Sequence, residues 1–431
     1  MLASLVDHTP LGKSVVTCEY KVSRRFTPHR RAMVVVPTLP GRCYANTAST
    51  VDAYNVTFSL QNDMTSLSAG LNLIDSERAS VKRSVSWVMD HANRTRAPIC
   101  HPTVYQPVVD QGAYETGFCW DQGDTSSDDD GAWIPQGITT TRDALSANYY
   151  DGHQLVGVGW YRSGQSRLSL VDWDAGFPNT YRHILFVEPT GNTVRYRNAD
   201  SHAGGMMWYG NLLYVADSAN RGFRIFTFDN LYSADTTAFC SDSVGRVYDG
   251  SSSQYRYCAS GYAYIMPQVG WVRAPASDPN YLRVSTISLD RSTTPDSFVV
   301  AEFASPNEGT QSDDQASHNR LHPRVVRWSL DYTTRLPSTG SSSEAYVTNI
   351  QKVQGAASRN GTIYLASSNG ESSPGTLRSW NPLFGTVRRT DWVVGPESLS
   401  YWGGSPELLW TCTEWANKRV VVAVRPGDLD L

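Results

Sequence analysis

Charge is scarce in this chain. Asp, Glu, Lys and Arg make up 18% of 431 residues, 37 basic against 41 acidic, for a formal net charge of −4. Helical bundles and coiled coils, whose outer faces are built on charge, are disfavoured by that poverty. The slight acidity argues against a nucleic-acid partner, because phosphate binding needs a dense Lys/Arg field. No apolar run approaches the roughly 18 residues of a membrane span, so no membrane insertion is expected. The signatures GxSxG, HExxH, the Walker loop and a GxGxxG after a strand are all missing, which demotes those reaction classes. None of the cysteines stands in CxxC spacing, so structural zinc is not expected.

What the chain does have is Gly, Ser, Thr, Tyr and Trp, the composition of sheets and turns. Short polar stretches separate Cys100 from Cys119 and Cys240 from Cys258, which suits local disulfides. Cys18 with Cys43 is a third pairing, and Cys412 is left free inside an apolar strand. Asn55, Asn93 and Asn360 begin Asn-x-Ser/Thr sequons. The first residues, MLASLVDHTPLGKSVV, do not form a basic start followed by a long apolar core. The expectation is a secreted, monomeric protein whose leader is removed or lies outside this chain.

Residues 1–50 read as a partly irregular N-terminal extension and 51–431 as the folded domain. Segments 54–60 and 81–89 alternate in polarity. The acidic stretch 121–131, with Asp121, Asp124, Asp128, Asp129 and Asp130, reads as a solvated surface loop. It has carboxylates enough for calcium but not the EF-hand spacing. Trp120 and Trp133 flank it and are expected to be exposed. From about 133 a layout recurs: a short anchor, a strand, a turn, a second strand, a turn, a third strand. The anchors are Pro135-Gln136-Gly137, Ala203-Gly204-Gly205, Val353-Gln354-Gly355 and Pro396-Glu397-Ser398. A fifth unit is read from strands near 262–271, 281–289 and 297–303, with Pro267-Gln268 as a degenerate anchor. Fourth strands are expected at 181–187 and 325–330.

A small sheet cannot bury both faces alone, whereas radial stacking gives each sheet a neighbour on either side. The predicted fold is therefore all-β: a β-propeller of five to seven blades built from three- to four-stranded antiparallel meanders. The N-terminal region would supply further blades or a strand that closes the ring. In a meander the start of the first strand and the end of the second share an edge. That edge gathers Gln136, Asp200, His202, Gln354 and Glu397 from the anchors, and Trp160, Tyr161, Arg162, Asp217, Arg221 and Glu414 from the second strands. Carboxylates, amides, an imidazole, guanidinium groups and aromatic faces suit a sugar. Each also has a plain structural reading. Gly137, Gly205 and Gly355 permit close strand packing, Gln136 and Gln354 bond neighbouring blades, and Asp217 caps a turn. Trp160, Trp208, Trp402 and Trp410 pack between blades.

The segments WIPQGITT, HAGGMMWYGNLLYVADSANRGFRIF, VQGAASRNGTIYLASS and GPESLSYW resemble uncharacterised exported β-propeller proteins of actinobacteria, over about 120–431. More distantly, LLYVADSANRGFRIF is similar to NHL-like and gluconolactonase-like propellers. Some members of that group hold a divalent cation in the channel through an anchor glutamate. The resemblance would give that role to Glu397, with a cation such as Ca2+.

The functional expectation is a propeller acting on a polysaccharide or oligosaccharide at its channel face. As a hydrolase it would use Glu397 with Asp217 or Glu414 as an acid/base pair. As a uronate lyase, His202 or Tyr161 would take the proton and Arg162 or Arg221 would neutralise the carboxylate. Gln136, Trp160, Arg162, Gln354 and Glu414 would bind substrate. The rival readings are a non-catalytic glycan- or protein-binding propeller and a metal-dependent lactonase-like hydrolase.

Overall fold

In the computed structural model the described residues are 15–18, 43–46, 49–121, 128–129, 131–173, 180–305 and 323–431. The chain divides into Met1–Thr50 and Val51–Leu431. In the first unit, strands Val15–Cys18 and Cys43–Asn46 pair antiparallel, with Cys18 opposite Cys43 in register. The expected bridge between those two concerns side chains outside the described residues.

The second unit is all-β in its framework: its sheets contain five antiparallel sets of four strands, the third and fifth extended by Val51–Ala53 and Ala97–Pro98 and the first two joined by the parallel pairing of Thr180–Pro189 with Tyr264–Arg273. The first is Ile134–Thr140, Leu155–Arg162, Gln165–Asp172 and Thr180–Pro189. The second is Met206–Tyr209, Leu212–Asp217, Gly222–Thr227 and Tyr264–Arg273. The third is Val284–Asp290, Ser297–Glu302, Arg324–Ser329 and Glu344–Thr348. The fourth is Val353–Arg359, Thr362–Ser367, Pro374–Trp380 and Val387–Val394. The fifth is Pro396–Trp402, Leu408–Thr413, Val420–Val424 and, from far upstream, Tyr114–Cys119. The upstream strand pairs with Val420–Val424 and so ties the start of the unit to its end. The first strands of the five meanders touch in cyclic order, the fifth returning to the first.

Two strand assignments are corrected. Residues 264–273 do not open a unit; they are the outer strand of the second meander, paired with Gly222–Thr227. Gln268 is accordingly no anchor: it is buried, accepts from Arg224 at 2.7 Å and donates to Gly270 O at 2.8 Å. The strand near 325–330 is third in its meander, not fourth. The alternation read at 81–89 also gives way. Val85–Asp90 is a helix that buries Val85, Val88 and Met89, the i, i+3, i+4 face. Ser84 caps it, accepting from Trp87 N at 3.0 Å.

Burial explains the strand sequences. The second strand Leu212–Asp217 and third strand Gly222–Thr227 are buried at every position, so they read as continuous apolar runs with little alternation. Met207, Tyr214, Phe223 and Ile225 pack with Ile287, Phe298, Val300 and Trp328 in one core cluster spanning two meanders. Burial of such side chains contributes roughly 1.5–3 kcal/mol each. Trp208 stacks on Phe228 with ring centroids 3.9 Å apart, and Trp410 meets Trp173 edge-on.

The anchor glycines mark close approach. A Cβ on Gly205 would lie 2.5 Å from Ile287 N and 2.6 Å from Thr286 Cα, both backbone. Neither atom can yield without moving a strand of the next meander. Gly205→Ala is expected to destabilise the protein by about 1–3 kcal/mol, read as a lower urea midpoint at unchanged slope.

Disulfides join Cys100 to Cys119 and Cys240 to Cys258, and Cys412 is free and buried. Among the described residues, no helix is long and apolar enough to cross a membrane.

Candidate functional site

The anchor edge of the ring holds two carboxyl groups. Glu397 sits at the start of Pro396–Trp402, where the register shifts between Glu397 and Ser400. Ser398 takes φ 39° in that bulge, and Thr411 Oγ1 donates to the carbonyls of Glu397 (2.8 Å) and Ser398 (3.0 Å). A bulge re-aims the side chain it carries. The Glu397 side chain ends up 1% exposed, and its Oε1 accepts from Gln354 Nε2 at 2.6 Å. Burial pushes its carboxyl well above the usual range, and the negative charge of Glu414 adds to this; the Gln354 amide only partly opposes it.

Glu414 follows the second strand of the same meander. Its backbone N–H donates to Gly395 O at 3.2 Å, and its carbonyl accepts from Arg419 Nε at 3.0 Å. It is partly exposed. Burial raises its carboxyl to about 7, against the pull of Arg419. The proton is thus favoured on Glu397, while Glu414 titrates at about 7.

Tyr161 and His202 face the same edge. Their rings stack with centroids 4.3 Å apart and planes at 26°; His202 is exposed and Tyr161 partly so. The Tyr161 hydroxyl is pushed up by burial and then by the charges of Glu414 and Glu397, which places it in the field of both carboxyls. Cys412 Sγ lies 3.6 Å from Gln136 O and 3.9 Å from Glu397 O, so the first anchor adjoins the fifth. The Gln136 amide donates to Pro135 O at 3.1 Å. Gln136, Tyr161, His202, Gln354, Glu397 and Glu414 thus share this region.

The other candidates are corrected. Trp160, next to Tyr161 on the strand, points to the opposite face; it is fully buried and its Nε1 donates to Ser169 Oγ at 2.7 Å. Asp217 caps its turn, accepting from Asn220 N at 3.1 Å, and its other oxygen takes Arg224 Nε at 2.7 Å, so it is no free acid or base. Arg221 lies over the Tyr281 ring at 4.0 Å and donates to Ala276 O at 3.1 Å. Arg162 lies over Trp133 at 4.9 Å and donates to Gln165 Oε1 at 2.7 Å. Asp200 contributes its carbonyl to Arg224 at 3.0 Å.

The cation role expected of Glu397 meets an oxygen already engaged. Its Oε1 faces an amide N–H, and burial favours its protonated form, whereas a hard cation wants ionised oxygens. Among the described residues, the group of three His, Cys, Asp or Glu side chains close enough to share an ion is Cys100, His101 and Cys119, and its two sulfurs are already joined to each other.

The acidic stretch is corrected as well. Asp128 and Asp129 are buried, not solvated, as are Trp120 and Trp133. Asp128 accepts from Arg167, Tyr181, His183 and Arg94. Asp129 pairs with His101 Nε2 at 2.9 Å and accepts from Arg419 N at 3.1 Å. Asp124 and Asp130 lie outside the described residues.

A further carboxyl escaped sequence reasoning. At the far ends of the first strands, buried Asp143 accepts from Thr139 (3.0 Å) and Ser400 (2.7 Å), and burial raises it to about 6. It faces a cavity of about 430 Å3 that also takes in Arg142, Arg291 and Arg359. The run Thr139-Thr140-Thr141 before it gave no signal distinguishable from an ordinary turn.

No family model matches the chain, and no curated protein matches it. Among solved structures it is similar to the GH43_1 enzyme from Xanthomonas citri complexed with xylose, at 10% identity, 67% of this chain, 86% of that chain and a TM-score of 0.33. The complex of that enzyme with xylotriose matches at 11% identity, the same coverages and a TM-score of 0.33. Likeness at this level carries neither a fold nor a substrate to this chain.

Proposed function

We propose that the ring is a five-bladed propeller, exported from the cell, that hydrolyses a glycosidic bond at its anchor edge. What carries the reading is the pair Glu397 and Glu414 on one meander edge: one carboxyl buried against the Gln354 amide and pushed well up by burial, the other partly exposed and raised by burial to about 7. Glycoside hydrolysis asks for that division, an acid for the leaving oxygen and a base for water. The exposed His202 ring stacked on Tyr161 offers a flat face for a sugar. The two disulfides support an oxidising compartment.

A uronate lyase fits less well. Of the residues that would neutralise a uronate, Arg162 lines a cavity that does not take in Tyr161 or His202, and Arg221 is engaged with Tyr281 and Ala276 O. The nearby carboxyls raise Tyr161 and so hinder its action as a base. Glu414, where ionised, would also repel an anionic sugar.

The deciding experiment is a screen of the full chain against a polysaccharide panel, reading reducing ends and unsaturated-uronate absorbance together. New reducing ends without absorbance are expected. Absorbance would replace hydrolysis with elimination. Binding with no product on any member would leave a recognition module and overturn the enzyme.

A further inference from the structure

A second cavity, of about 570 Å3, lies over the outer strands of the first meander and is lined by Arg94, Arg162, Arg167 and Arg182, with Trp133 and Tyr262. Its volume is in the range of small-molecule sites. Among the described residues the lining holds four arginines and one aspartate. Asp128 takes both Arg167 Nη2 (2.7 Å) and Arg94 Nη1 (3.2 Å). The one carboxylate in the lining is Asp242, which accepts from Ser241 Oγ at 3.2 Å. Among the described residues, Arg162 and Arg182 have no carboxylate partner. Arg162 donates to Gln165, and Arg182 donates to His91 O at 2.8 Å and lies over the Tyr264 ring at 5.1 Å. Among the described residues, Arg162 and Arg182 thus line the cavity with amide, carbonyl and ring partners and no carboxylate.

Two further observations point the same way. The Arg167 side chain is 4% exposed, yet among the described residues its Nε–H has no hydrogen-bond partner. Buried donors are seldom left so. Arg182 is pulled below the usual guanidinium range by burial, with the like charge of Arg94 adding to it. His183, also in the lining, adds no positive charge of its own: burial and then Arg167 hold it down at about 3.

We infer that this cavity binds an oxyanion, a carboxylate, sulfate or phosphate group carried by a small molecule, with Arg162 and Arg182 as its principal ligands. A guanidinium offers parallel N–H donors that match two oxygens of such a group, and both side chains line the one cavity without a carboxylate partner among the described residues. The proposal does not depend on turnover at the anchor edge, and neither does its test.

Isothermal titration of the full chain at constant ionic strength, set with sodium chloride, would use sodium sulfate, sodium glucuronate and glucose. Sulfate or glucuronate is expected to bind, and glucose is not. Arg162→Met and Arg182→Met should each weaken anion binding at least tenfold. Neither strands a buried carboxylate, so both variants should keep the wild-type urea midpoint. Silence with both anions, equal binding of glucose and glucuronate, or unchanged anion affinity in the double variant would each overturn the assignment.

Discussion

Glu397→Gln and Glu414→Gln are each expected to lower turnover of a glycan substrate by about 100- to 10,000-fold, the range for loss of one general acid or base. The two should differ in how they change the pH profile. Glu414 acts as the base only when ionised, so wild-type activity rises with pH through about 7. Glu397 is pushed well above the usual carboxylate range by burial, and activity should decline where it loses its proton, which sets the upper limb. Residual activity in Glu414→Gln should lose the lower limb and keep the upper. Stability moves the opposite way. A carboxyl raised in the folded state binds its proton more tightly there than in the unfolded chain. Its stabilising contribution is full below the unfolded value near 4.5 and is lost as pH rises through the folded one. Glu414→Gln removes that loss and should raise the melting temperature at pH 8 while activity falls. A variant that loses activity and stability together at pH 8 would point to structural damage and would remove Glu414 from the chemistry.

The ring was legible because its units repeat. Gly205 and Gly355 betray close strand contacts, and the Tyr-Gly-Asn and Arg-Asn-Gly turns punctuate the meanders. The strand that closes the fifth meander was foreseen as a possibility but not located. Tyr114–Cys119 lies far from its partner Val420–Val424 in sequence, and nothing local to either segment names the other. Strand 264–273 was misplaced for a related reason. It is buried at nearly every position and follows a hairpin insertion, Val244–Asp249 with Gln254–Ala259, which separates it from its own meander. At the site, Glu397 and Tyr161 stood out because an edge argument needs only strand direction. Trp160 and Asp217 misled because that argument does not say which face a side chain takes or whether an arginine such as Arg224 is waiting for it. Composition misread the acidic stretch: the partners of Asp128 come from segments 34 to 55 residues away.

Those distant partners set the largest expected loss of stability. Asp128→Ala should cost about 3–5 kcal/mol, the penalty for stranding buried charges by removing one partner. The carboxylate accepts from Tyr181 at 2.6 Å, Arg167 at 2.7 Å, His183 at 3.0 Å and Arg94 at 3.2 Å. Since a carboxylate only accepts, His183 donates through Nε2–H, and its Nδ1 takes the Ser169 hydroxyl at 2.8 Å. Trp160 Nε1–H completes the chain into Ser169. Burial works to raise the Asp128 carboxyl, but His183, Arg167 and Arg94 hold it well below its ordinary range. Its contribution is therefore present above the unfolded value near 3.8 and lost as pH falls below that. His183 begins to act earlier. Held at about 3 in the fold against 6.5 unfolded, it binds fewer protons in the native state than in the unfolded one between those values, so stability declines as pH drops through 6.5. Glu414 and Asp143, both raised, gain stability over the same span, so the test is a difference: from pH 7 to 4 the urea midpoint of the wild type should lose ground relative to that of His183→Gln. In a double-mutant cycle at pH 7, Asp128→Ala with Arg167→Met should cost less than the sum of the two single substitutions, because the second change removes the charge that the first had stranded. Strict additivity would mean that the buried cluster is not a cooperative unit.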